Sequence, residues 1–223
     1  MATIYAHTND GYVSRFNQSS WSNARASTTG TNVSSTATQH VTGVSADRVA
    51  ARGGGYNFSI YRSFFFFDTS GISSDVSEAT LKIRGSVYGN GNVIAVKSNS
   101  GIETLGTGDF GSIVGWNTTT DGSGGGDNES NVTKYSAEIS TWSTSGYNDI
   151  TLTAQALADM RDDDKVYICL LNTDYDLRDV APTGYTTHKN GLYYTNYTGT
   201  SRDPYIDYTL APTATDNSVF FWM

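Results

Sequence analysis

Arg62-Ser-Phe-Phe-Phe-Phe-Asp68, followed through Gly71-Ile72 by Ala79-Thr-Leu-Lys-Ile-Arg84, is the stretch whose reading decides the fold. Side chains on a strand alternate between its two faces. Phe64 and Phe66 therefore point one way, and Phe65 and Phe67 the other. A strand that is apolar on both faces has to be covered on both. It reads as a central strand, with the core on one side and a partner, loop or helix on the other. The second run alternates: Leu81, Ile83, Gly85 and Val87 share one face, and Lys82, Arg84, Ser86 and Tyr88 share the other. That is a strand with one wet side. Between the two, Asp68-Thr-Ser-Gly-Ile-Ser-Ser-Asp75 is turn chemistry.

Outward from this ribbon, short strand signals alternate with turns. Upstream, Thr36–Val44 and Asp47–Arg52 read as strands, and Gly53-Gly-Gly55 punctuates them. Residues 17–35 are almost wholly Ser, Thr, Asn, Gly and Ala around Trp21. This segment reads either as a surface loop or as a polar arm lying over a neighbouring subunit, with Trp21 as a partner contact. Downstream, Gly89-Asn-Gly-Asn92 signals a hairpin with Val93–Lys97 as its return strand. Ser98–Asn131 is loop-rich; its Gly122-Ser-Gly-Gly-Gly126 lacks the spacing, lysine and following helix of a phosphate loop. Tyr135–Ile139 and Asn148–Leu152 read as strands. Thr153 is placed to cap a helix over Ala154–Arg161, and Asp162-Asp-Asp164 opposes its dipole and keeps it short. Lys165–Leu171 reads as a buried strand, Leu192–Tyr194 as another, and Pro204–Leu210 as the last, with Ile206, Tyr208 and Leu210 inward.

The expected architecture is all-β: a two-sheet antiparallel β-sandwich, a jelly roll, over residues 1–210 with one short helix. Residues 211–223 form an apolar C-terminal tail ending Val219-Phe-Phe-Trp-Met223. Exposed, such a run is a liability, so it either folds back onto the domain or inserts into a partner.

Composition agrees with this class. Tyr (15 residues) and Gly (23 residues) are abundant, and charged residues are only 16%, so the surface is built from uncharged polar side chains. The net charge of −8, with no basic run, argues against nucleic-acid binding. The single cysteine, Cys169 in an apolar strand, excludes an intrachain disulfide framework. No stretch approaches the roughly 20 apolar residues of a membrane-spanning helix. The first residues show no signal peptide, so a route out of a cell by lysis, as part of a virus particle, fits.

Three stretches carry a family resemblance: Arg62-Ser-Phe-Phe-Phe-Phe-Asp68 with Gly71-Ile72, Ser77-Glu-Ala-Thr-Leu-Lys-Ile83, and the closing Arg202-Asp-Pro-Tyr-Ile-Asp-Tyr208. Together they resemble DNRLRE-type jelly-roll modules. The helix at Ala154–Arg161 followed by Val166-Tyr-Ile matches the turn-then-strand of that family. Such modules resemble carbohydrate-binding modules, and similar domains occur in virion proteins of tailed bacteriophages. The domain is expected to be non-enzymatic, with a glycan-cleaving enzyme as the third reading after a virion part and a carbohydrate-binding module. The chain departs from the cellular members by lacking a signal peptide, a linker to a catalytic domain and the Trp-rich turn after the third strand, which favours a virion part.

No motif for catalysis emerges. His7, His40 and His188 stand in unlike contexts, and neither a metalloprotease helix nor a nucleophile elbow is present. Asp174, Asp176 and Asp179 read as a solvated acidic rim or as a calcium site, since calcium takes carboxylate and carbonyl oxygens from loops. Trp116, Tyr185, Tyr193 and Tyr194 are candidates for a sugar-stacking platform, against the ordinary reading of half-buried strand residues.

The expected function is a structural protein of a virus particle, a capsid-decoration or head-surface protein. It would bind other virion proteins, capsid or tail, through Val219, Phe220, Phe221, Trp222 and Met223, through the arm and through the doubly apolar central strand Phe64–Phe67, as a homotrimer. The alternative is a carbohydrate-binding module or fibre tip that reads host glycans.

Overall fold

A computed structural model describes residues 1–99, 104–117 and 126–212. The elements are β1 (Ala2–Tyr5), β2 (Gly11–Gln18), α1 (Trp21–Arg25), β3 (Asn32–Ser34), β4 (Gln39–Ala50), β5 (Tyr56–Asp68), β6 (Val76–Gly89), β7 (Val93–Lys97), β8 (Tyr147–Thr151), α2 (Ala154–Asp162), β9 (Lys165–Asn172), β10 (Thr186–Tyr193) and β11 (Tyr205–Leu210). A 3-10 turn at Thr107–Gly111 and a π turn at Thr173–Leu177 complete the set. Every strand pairing is antiparallel, and the fold is an all-β sandwich.

Two long strands organise it. One layer is β1-β11-β6-β8, built on the first half of β6. The other is built on β5: β2 runs along one edge, with β3 outside it, while β4 and then β9 follow each other along the opposite edge. β10 joins the layers, pairing with β4 and with the last residues of β6, and β7 pairs with β9.

The phenylalanine run does what its alternation dictates. Phe65 and Phe67 enter the core between the layers, among Leu81, Ile83, Ile150, Ile168 and Ile206. Phe64 lies on the opposite face in a second core with Ile60, Ile94, Val96 and Cys169. That second core is roofed by the chain's own Trp21, Ala24, Leu105, Phe110, Ile113, Val132 and Leu177. Phe66 lies nearer the edge, stacked on His7 at 4.4 Å. The doubly apolar ribbon is therefore covered on both sides by its own chain, and the expectation that it serves as a partner contact is corrected: its four rings are buried inside the domain.

Several expectations are corrected. Thr36–Val44 and Asp47–Arg52 are one strand, β4, joined to β5 by a turn in which Gly53, Gly54 and Gly55 all take positive φ (107°, 102° and 81°), a run that L side chains resist. Gly89–Asn92 does not close a hairpin. β7 pairs with β9 rather than β6, and the turn bonds sideways to β10 through Asn90 N to the Lys189 carbonyl (3.2 Å) and Gly91 N to Asn190 Oδ1 (3.1 Å). Val87 is 61% exposed, because the β6–β10 register slips between Ser86 and Gly89. Leu210 likewise turns outward, at a register shift against β6, while Ile206 is buried as expected. Tyr135–Ile139 makes only isolated bridges. Thr153 does cap α2, accepting from Ala156 N.

Residues 17–35 are not an extended arm. Asn17 and Gln18 end β2, then α1 and β3 pack on the domain, with Ser20 capping α1. Trp21 is buried, its Nε1 donating to Asp179 Oδ1 at 2.8 Å and its ring edge-on to Phe58. The expected partner contact is an anchor of the second core.

Candidate functional site

The first charged constellation lies inside the second core. Arg62, at the middle of β5, is fully buried. Its Nε and Nη2 donate to the two oxygens of Asp176 at 2.8 and 2.7 Å, and Nη1 donates to the Phe110 carbonyl at 2.5 Å. Arg25, from α1, donates Nε to the Asp176 carbonyl at 2.8 Å and Nη2 to the Leu177 carbonyl at 3.3 Å. Asp179 Oδ1 stands 3.7 Å from Arg25 Nε. The guanidinium carbons of Arg62 and Arg25 lie 4.1 and 4.6 Å from the centroid of Trp116, and Arg62 lies 4.1 Å from that of Phe110. Burial pulls the Arg25 pKa down, and the charges of Asp176 and Asp179 oppose it. Two cations, two carboxylates and two rings thus clamp α1, the 3-10 turn and the π turn onto β5. Both Asp176 oxygens are engaged by Arg62, so the cluster braces the fold.

Asp174, Asp176 and Asp179, the expected calcium ligands, do not come together. Asp176 is paired inside, Asp179 accepts from Trp21 and from Gly126 N (3.0 Å), and Asp174 accepts from Asn92 Nδ2 (2.9 Å) near Arg178. The three carboxylates serve separate donors instead of converging. Among the described residues no group of three or more His, Cys, Asp and Glu could hold a metal ion.

A second constellation borders an open cleft of about 470 Å³ lined by Lys97, Tyr135, Asp163, Asp164, Lys165 and Tyr167 among others. Lys97 Nζ contacts Asp159 Oδ2 at 2.9 Å and Asp163 Oδ2 at 3.4 Å. The Tyr135 hydroxyl donates to Asp159, and so does Gln155 Nε2, at 2.9 Å. Burial pushes the Asp159 carboxyl up, but the bonds from Tyr135, Lys97 and Gln155 outweigh it and hold it below its ordinary value. Burial and then the Asp159 bond raise the Tyr135 phenol. Burial lowers Lys97, yet its bond to Asp159 and the two carboxylate charges leave it raised. All three groups are thereby locked in their neutral-pH charge states, the reverse of what a general acid or base needs. The network ties α2 to β7.

The third constellation is partly exposed. On the outer face of the first layer, Tyr5 (48% exposed) packs against Tyr205 at 5.6 Å, and Tyr205 packs against Tyr147 at 5.1 Å. Polar groups interleave: Lys82 Nζ to Asp149 Oδ2 at 2.6 Å, and Thr3 Oγ1 to Asp207 Oδ1 at 2.6 Å. Burial, then the neighbouring Tyr205 and Asp203, push the Tyr147 phenol up to about 12. Tyr147 and Asp149 also line an adjoining cleft of about 430 Å³ with Thr141, Trp142, Ser143 and Asn148. Aromatic faces beside donors and acceptors suit a polyhydroxylated ligand with one apolar face.

The expected sugar platform is not assembled from the expected residues. Tyr194 is fully buried, its hydroxyl 2.7 Å from Ser63 Oγ. Trp116 lies beneath the two guanidiniums. Tyr185 is 72% exposed and pairs with Tyr56. Tyr193 is half-buried against Tyr197, with Arg202 over both rings. Sequence reasoning missed Tyr5, Tyr147 and Tyr205. The alternation of Pro204–Leu210, which already placed Ile206 inward, carried the signal that Tyr205 faces out. The expected partner contacts Val219, Phe220, Phe221, Trp222 and Met223 lie outside the described residues. Neither the family models nor the curated proteins compared with this chain yield a match.

Proposed function

We propose that the chain is a non-enzymatic structural protein of a virus particle, a decoration or head-surface protein of the DNRLRE-like kind. Val219–Met223 binds it to the particle, as a homotrimer. One observation carries this reading. Both cores and the cover on each face of β5 are built from residues up to Leu210, yet five apolar side chains follow in Val219–Met223. The locked charge states around Asp159 argue against that network as an acid–base site. With the arm folded in, attachment falls to the tail alone. The test is incorporation: a chain lacking Val219–Met223 stays folded as a purified protein and fails to cosediment with particles that take up the full chain.

A second reading, a glycan-reading fibre tip, is favoured by the Tyr5-Tyr205-Tyr147 row, in which Tyr5 is exposed and the other two rings are half-buried. Its test is loss of polysaccharide binding in Tyr205→Ala with thermal stability retained.

A further inference from the structure

We infer that the groove between α2 and the start of β6 is the docking site of this chain's own Val219–Met223 segment. The groove holds about 320 Å³ and is lined by Asp75, Val76, Ala154, Leu157, Ala158 and Arg161. Val76 belongs to the main core and Leu157 packs against it, so the groove opens onto core side chains. Ala154 and Ala158, one helical turn apart on α2, leave the space that a ring would fill. The rim is polar and fixed: Arg161 Nη1 meets Asp75 Oδ1 at 2.5 Å, and Asp162 holds the rest of the guanidinium at 2.6 and 2.7 Å. An apolar floor with a charged rim is the form of a site for a large apolar side chain.

The occupant is indicated by where the chain goes. Ala211 N donates to the Asp75 carbonyl at 2.7 Å, and Asp75 is itself a groove residue. The segment beyond Pro212 thus begins at the rim. From Pro212 to Val219 is seven residues (219 − 212), Thr-Ala-Thr-Asp-Asn-Ser and then Val. Seven residues reach at most about 25 Å, ample for a turn back into a groove at the point of departure. A tether this short gives an effective concentration in the millimolar range, which a second copy at micromolar concentration does not match. The inference goes beyond the proposed function: the side chains that would meet the particle are covered in the free protein. It is read on the isolated chain, so its failure and that of particle attachment are separate results.

The experiment is limited proteolysis of the full chain with a protease that cuts at large apolar residues, following cleavage within 219–223 by mass spectrometry over a range of protein concentrations. The wild type is expected to be cut roughly tenfold to a hundredfold more slowly than Ala158→Arg, the factor that burial of one large apolar side chain confers. The protection is expected to be independent of concentration. Equal rates in the two proteins overturn the inference, and so does protection that grows with concentration, which would place a second copy in the groove. Hydrogen exchange supplies a variant that leaves the sandwich untouched. Phe221→Ser combined with Trp222→Ser is expected to speed exchange of the α2 amides around Leu157, and unchanged exchange overturns the inference.

Discussion

Replacing Arg62 by Met removes the guanidinium at the centre of the second core while keeping most of the side-chain volume. Asp176 then keeps a fully buried carboxylate whose remaining cation is Arg25, with Nε 4.0 Å away. The bidentate pair and the Phe110 carbonyl bond are lost together. Breaking a buried ion pair from one side costs about 3–5 kcal/mol, because the surviving charge is left uncompensated. Set against the 5–15 kcal/mol that holds a typical domain together, that is a large share. Asp176→Leu should cost a similar amount, by stranding Arg62. The double variant Arg62→Met/Asp176→Leu leaves neither charge and should be less destabilised than the sum of the two by at least about 2 kcal/mol. Lys82→Met is the control: its pair with Asp149 is on the surface and worth at most about 1 kcal/mol. Urea unfolding of the four proteins gives the cycle directly; at a slope of about 2 kcal/mol per M, each single buried variant moves the midpoint by about 2 M. Single losses below 1 kcal/mol, or a double variant that simply adds, would refute the idea that this pair pins the outer roof to β5.

Three further outcomes are expected. Asp10 is buried and accepts from Thr195 N and Oγ1; burial raises its pKa to about 7 against those bonds. A folded-state value above the unfolded one favours the folded state when protonated, so this contribution is present below pH 4 and is lost as pH rises through 7, by up to about 4 kcal/mol. Asp10→Asn should therefore flatten the decline of the urea midpoint between pH 4 and 7, and an unchanged pH profile would contradict it. Thr153→Ala removes the α2 cap and should cost about 1 kcal/mol, read as a melting-temperature drop of a few degrees. Phe67→Ala, at a site with no exposure, should cost about 3–5 kcal/mol in chemical denaturation, with loss of a folded baseline as the extreme case.

What the sequence made legible was local and periodic. The alternation of Phe64–Phe67 placed two rings in each direction: Phe65 and Phe67 enter one core and Phe64 the other, while Phe66 packs on His7. The Thr153 cap and the Lys165–Leu171 strand needed only neighbouring residues to be read. What stayed hidden depends on partners far along the chain. Asn90-Gly91 has the chemistry of a hairpin turn, but its bonds go to β10 about 100 residues later, and no local signal announces that. Residues 17–35 look like solvent-exposed chain, yet Arg25 and Trp21 find their partners at Asp176, Leu177 and Asp179. Arg62 was legible as part of a motif, and its ion pair with Asp176, 114 residues away, was not. The tyrosines show the same limit: Tyr194 and Tyr5 have the same chemistry, and only the packed sheet decides that one is buried and the other faces solvent.

On the proposed function, the sandwich joins something larger through its last apolar residues. Quantitative mass spectrometry of purified particles from the source, made with the intact chain or with Val219–Met223 deleted, addresses this most directly. The intact protein should be present in fixed proportion to the major shell protein, and the shortened one should be absent although it folds. Equal amounts of both in the particles, or neither in any preparation, would contradict it.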